Sequence, residues 1–138
     1  MSPLVRLLYP LPARSRTPAT VIGWWERRRL TFNLVVGTTG LLSLGLINLI
    51  LGLPPLSGQA PGIPILPALA YGMLANLFYS AGWGIELLFN AWWRKDPPDI
   101  GPILFRQGVI FSVGLTLLPV ALAGFVWAAG LVRWVLGW

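Results

Sequence analysis

The side chains able to do chemistry in this sequence are few. Glu86 is the one acid inside a long apolar stretch. On a helix it shares a face with Tyr79, Trp83 and Asn90, at steps of 7, 3 and 4 residues from it. Asn33, Asn48, Asn76, Ser80, Asn90 and Arg106 are the other polar groups set among apolar neighbours. Polar groups at membrane depth are expensive, so each is a candidate for function. A proton path needs titratable groups spaced across the membrane, and the half of the spans remote from Glu86 has none. The spacing therefore predicts a structural pair, with Glu86 held by Arg106 or by the Arg27–Arg29 cluster. An ion site and a partner contact are the alternatives.

Other chemistry is excluded by inventory. The chain has no cysteine and no histidine. That removes disulfides, thiol nucleophiles, imidazole bases and the usual zinc, copper and haem ligands. There is no glycine-rich dinucleotide loop, no P-loop and no nucleophile elbow. Asp96 and Asp99 flank two prolines and read as a solvated turn rather than a metal site. The expectation is a protein that is not an enzyme and requires no cofactor. A lipid, quinone or pigment at its periphery is compatible with the residues present.

These groups must be positioned by helices. The 138 residues are 56% hydrophobic and 10% charged, and mean hydropathy is +0.73. Globular chains carry about 25% charged residues, so an ordinary soluble domain is ruled out. Three long apolar runs stand out, at about 30–53, 64–93 and 103–136. Each exceeds the roughly 20 residues that cross a bilayer. Pro54 and Pro55 end the first run. The loop from Arg94 to Pro102 is a polar stop, and Pro64 suits a first helical turn. The last run is interrupted only by Arg106 and Arg133 and lacks a central turn signal. It reads as one long helix kinked at Pro119, with Thr116 near enough to help repair the local hydrogen bonding. A re-entrant hairpin is the alternative. The fold expected is an all-α membrane protein with three transmembrane helices, residues 24–138, preceded by a Pro/Arg-rich arm, residues 1–23. That arm is too broken by proline to form a stable helix alone, and should lie on a membrane or protein surface.

Charge sets the orientation. Ten Lys/Arg against four Asp/Glu leave a net +6. Six arginines precede the first run, and Arg94, Lys95 and Arg106 lie near the turn between the second and third. A nucleic-acid binder would not enclose its basic clusters between uncharged spans. The positive-inside rule places the N-terminus and the second loop in the cytoplasm. Trp24 and Trp25 beside Arg27–Arg29, and Trp92 and Trp93 beside Arg94 and Lys95, read as indole belts at the headgroup level.

Small residues recur in register. Ala68, Gly72, Asn76, Ser80 and Gly84 fall every fourth position on the second span, and Gly108, Ser112 and Thr116 on the third. Asn33, Gly37 and Gly45 form a related stripe on the first. Such stripes let helix backbones approach closely. They suit packing within the bundle, and a stripe left over would suit another protein.

The run Trp25-Glu26-Arg27-Arg28-Arg29-Leu30-Thr31-Phe32-Asn33 resembles the opening motif of an uncharacterised family of small bacterial inner-membrane proteins. Ala75-Asn76-Leu77-Phe78-Tyr79 with Gly82 and Glu86, and Phe105-Arg106-Gln107-Gly108 through Pro119, are similar to its later segments. The resemblance covers most of residues 24–120. It implies no activity, and it singles out Glu26, Arg28, Asn33, Asn76, Glu86 and Arg106 as the polar set of interest. The expected function is a non-catalytic accessory subunit of a larger bacterial membrane complex, respiratory or photosynthetic, with lipids and larger subunits as partners. A small homo-oligomeric transporter or channel subunit is the alternative, with Asn76, Ser80 and Glu86 lining its path.

The topology is testable directly. Single cysteines at positions 57 and 96 are expected to label with impermeant maleimide from opposite sides of the membrane. Labelling from the same side would refute a crossing by the second run and with it this topology.

Overall fold

The computed structural model of the chain describes residues 17–58, 62, 64–93 and 99–137. Three helices account for nearly all of them: α1 (Pro18–Gly52), α2 (Ile65–Trp92) and α3 (Gly101–Leu136). All three are long and apolar enough to cross a membrane. At 1.5 Å per residue they run about 52, 42 and 54 Å, against a hydrocarbon core of about 30 Å. Each therefore extends well past the core of a bilayer. The expected placement of residues 1–16 of the N-terminal arm, and of Arg94 and Lys95, falls on residues outside those described.

The ends follow from local chemistry. Pro18 opens α1 and Pro102 lies in the first turn of α3, where a missing N–H costs nothing. The carbonyl of Thr17 receives the N–H groups of Thr20 and Val21. α1 thus begins well ahead of Leu30, so residues 18–23 are helical rather than part of a broken arm. α1 stops before Pro54 and Pro55. Gly137 closes α3 in the left-handed conformation, φ 70°, with its N–H on the Arg133 carbonyl.

α3 is one helix through Pro119, as the lack of a central turn signal predicts. The Thr116 hydroxyl is not what serves the carbonyls freed near the proline. It donates to the Ser112 carbonyl at 2.6 Å. Instead Ser43 of α1 donates its hydroxyl to the Thr116 carbonyl at 2.9 Å. This bond ties α1 to α3 one residue from the Leu115 carbonyl that Pro119 leaves without its usual donor.

α1 is the common neighbour of the other two and packs most extensively on α3. The core is a cluster at the end of the bundle that carries Arg27–Arg29, here called the basic end. Trp24, Trp25, Phe32, Tyr79 and Phe105 form its aromatic part, with Val21, Val36, Ala75 and Val109 around them. Most ring pairs meet edge to face, with centroids 5.3–6.3 Å apart. Trp24 and Trp25 are 5% and 2% exposed. They are core residues and not a lipid-facing belt. Trp92 and Trp93 do face outward, with Trp93 stacked on Phe89.

At the opposite end the first loop folds over α3. Trp127 donates its indole N–H to the Pro54 carbonyl at 3.0 Å. Asn48 clamps Gly62 by two bonds, accepting its N–H and donating to its carbonyl. Gly62 has φ 72°, which favours glycine there.

Ser43→Ala is expected to lower stability by about 0.5–1.5 kcal/mol, the range of single interhelical hydrogen bonds in membranes. Unfolding of the purified chain in mixed micelles measures this. An unchanged midpoint would remove the α1–α3 tie at Pro119.

Candidate functional site

The residues singled out by type gather at the basic end, where they form two linked polar contacts around Tyr79. The first is a wedge. Trp25 of α1 lies across Gly82 of α2, so closely that a Cβ on Gly82 would come within 2.6 Å of its ring. Its indole N–H donates to Glu86 Oε2 at 2.6 Å. Tyr79, one turn before Gly82, donates its hydroxyl to the Trp25 carbonyl at 2.5 Å. Positions 79, 82 and 86 fall on one face of α2, and Trp25 fills that face.

Glu86 also meets the start of α3. A Cβ on Gly101 would sit 2.5 Å from Oε2 and 2.8 Å from Oε1. Gly101 is therefore the space in which the carboxylate rests. It is also the first residue of α3, where the partial positive charge of a helix N-terminus favours an anion. A single carboxylate thus joins all three helices.

The second contact is a clamp. Arg29 holds Glu26 by two bonds of 2.7 Å each. It then reaches across to α2, donating to Ser80 Oγ at 2.9 Å and to Asn76 Oδ1 at 3.4 Å. Its guanidinium lies 5.2 Å from the Tyr79 ring, a cation–π distance. Arg28 turns the other way, 3.8 Å over the Trp24 ring and bonded to the Trp24 carbonyl at 2.9 Å. Arg27 is exposed and bonds the Gly23 carbonyl through Nε at 3.0 Å. The three guanidiniums expected near Glu86 thus have identifiable partners elsewhere, and the contact that α1 makes with Glu86 is an indole N–H.

The remaining expected residues fall as follows. Arg106 is half-buried on α3, next to the buried Phe105. Asn33 lies one turn beyond Arg29 and lines a groove between α1 and α2. Gly72 lines the same groove. The Ser112 carbonyl accepts the hydroxyls of Tyr71 and Thr116. At Gly72, Gly84 and Gly108 a Cβ would meet nothing within 4 Å. These stripe glycines do not mark close helix contacts within the chain. The close approaches are at Gly82 and Gly101, off the stripe, because a large ring and a carboxylate need the room there.

The groove has a volume of about 680 Å³ and an almost wholly apolar lining. Asn33, Gly37, Gly40, Leu44 and Ile47 of α1 form one wall, and Pro67, Ala68, Tyr71 and Gly72 of α2 another. Leu115, Thr116 and Pro119 of α3 also line it. Among the described residues no group of acids able to hold a metal ion occurs. No arrangement of nucleophile and base is present in the bonds described above. The bonds at the basic end tie α1 to α2 and set Glu86 against the start of α3.

Gly82→Ala and Gly84→Ala are expected to act oppositely. The first drives a methyl into Trp25 and should cost about 1–3 kcal/mol. The second places one in open space, where alanine favours the helix by up to about 1 kcal/mol. Unfolding midpoints in mixed micelles decide, and equal effects would refute the wedge.

Comparison with protein-family models, with curated proteins and with solved structures finds no match to this chain.

Proposed function

We propose that this chain is a non-catalytic accessory subunit of a larger respiratory or photosynthetic complex in the bacterial inner membrane. The observation that carries this reading is the use of Glu86. The one acid inside the apolar part of α2 takes the Trp25 indole N–H at 2.6 Å and rests on Gly101. It joins helices instead of standing in a path. Asn76 and Ser80, the other groups a path would need, are bonded to Arg29. The concentration of arginine at the basic end supports a cytoplasmic N-terminus.

In this role the aromatic core makes a rigid foot at the basic end, and the long apolar faces above it meet neighbours. Leu41, Met73 and Phe125 are each about three-quarters exposed. Such faces fill a gap between larger subunits, while the arginines fix depth at the headgroups. Purification through a tag from native membranes in mild detergent tests the role. Fixed stoichiometry with unrelated large subunits, and a several-fold drop of assembled complex on deletion, are expected. A stable homo-oligomer that conducts ions in liposomes, and loses conduction on Glu86→Gln, would overturn it in favour of transport.

A further inference from the structure

The groove between α1 and α2 is unlike an ordinary lipid-facing surface. It is a concavity of about 680 Å³, within the size range of small-molecule sites. Its α1 wall from Asn33 to Ile47 is about 21 Å long at helical rise. It lies along the uncharged part of α1. The small residues expected to bring helices together line it instead: Gly37 and Gly40 on one side, Ala68 and Gly72 on the other. A Cβ at Gly37 or Gly72 would meet nothing within 4 Å, so the glycines leave room for something other than this chain. An apolar hollow at this depth does not hold water, since its lining offers few hydrogen-bond partners. A hydrocarbon chain is the chemistry that fits.

The basic end of the groove says what that chain is attached to. Arg29 reaches from α1 to Asn76 and Ser80, one and two turns below Gly72 on the same face of α2. Asn33, one turn beyond Arg29, is where the groove lining begins on α1. Arg27, two turns before Leu34 on the second edge of the wall, is exposed. Among the described residues its terminal nitrogens have no partner, and Nε alone is on the Gly23 carbonyl. Arg28 turns away over the Trp24 ring, and Glu26 balances Arg29. One positive charge, that of Arg27, remains in excess on this side.

We propose that the groove is a binding site for one anionic phospholipid. An acyl chain lies between α1 and α2 from Asn33 toward Ile47, and the phosphate sits at Arg27 beside the Arg29–Glu26 pair. The inference does not depend on the accessory role.

Reconstitution of the full chain in bilayers of mixed phosphatidylglycerol and phosphatidylcholine, mild extraction and native mass spectrometry provide the test. One phosphatidylglycerol per chain is expected, preferred about fivefold over phosphatidylcholine, the scale of one surface guanidinium. The double variant Gly37→Leu, Gly72→Leu fills the groove and should lose the lipid. Gly114→Leu, also in open space but off the groove, should keep it. Arg27→Gln should abolish the preference while the chain remains folded. Equal retention of both lipids would overturn the proposal, as would a filled variant that holds lipid as the parent does. A lipid-free dimer of the parent that the double variant splits would assign the groove to a second copy instead.

Discussion

Helices in hydrocarbon gain nothing from burying apolar surface against each other, because lipid tails are as apolar as leucine. Association must come from close packing and from polar groups that need each other. The Trp25–Glu86 hydrogen bond is where this protein meets that requirement. A carboxylate inside an apolar helix demands donors, and a buried indole demands an acceptor. Each answers the other. The two glycines that make room, Gly82 for the ring and Gly101 for the carboxylate, convert a polar liability into a three-helix junction. The aromatic core packs around that junction: Trp24, Tyr79 and Phe105 all touch the Trp25 ring edge to face.

This junction explains the lopsided architecture. On α2 the buried residues are Ala75 and Tyr79, both on the basic-end side of Gly72. Beyond them, α1 and α2 are separated by the groove, although both carry residues small enough to touch. α1 is instead drawn to α3 there, by Ser43 on the Thr116 carbonyl beside Pro119. Tyr71 crosses to α3 as well, hydrogen-bonding the Thr116 hydroxyl at 2.6 Å. With both neighbours anchored on α3, the α1–α2 seam is the one left open.

Much of this was legible in the sequence. Uncharged runs bounded by Pro54–Pro55 and by the Arg94–Pro102 turn gave three helices. Absence of a turn signal near Pro119 gave one long third helix. Glu86, Asn76 and Ser80 are where polar chemistry occurs, because hydrocarbon makes such residues conspicuous. Partners were not legible. Periodicity says that Tyr79 and Glu86 share a face, but not what fills it. An indole beside arginine has the same composition in a lipid-facing belt as in a core, so Trp25 read as a belt residue. A stripe of glycine has the same spacing whether backbones meet along it or stand apart. Gly82 carried a faint signal: glycine is costly inside a helix, and it sits between Tyr79 and Glu86 at steps of three and four.

The wedge and the clamp are not independent, because Tyr79 belongs to both. Its hydroxyl is held by the Trp25 carbonyl, and its ring faces the Arg29 guanidinium. Arg29 in turn fixes Asn76 and Ser80 on α2. Loss of the indole frees Tyr79 to turn, and a turned ring no longer backs Arg29. Residues in one such network couple, so their effects on stability do not add. The same chain of contacts runs from the Glu86 carboxylate, through Trp25, Tyr79 and Arg29, to Asn76 and Ser80 on α2. The aromatic junction and the open seam therefore follow one another along α1 and α2, with Arg29 held on α2 one turn before Asn33, where the groove lining begins on α1.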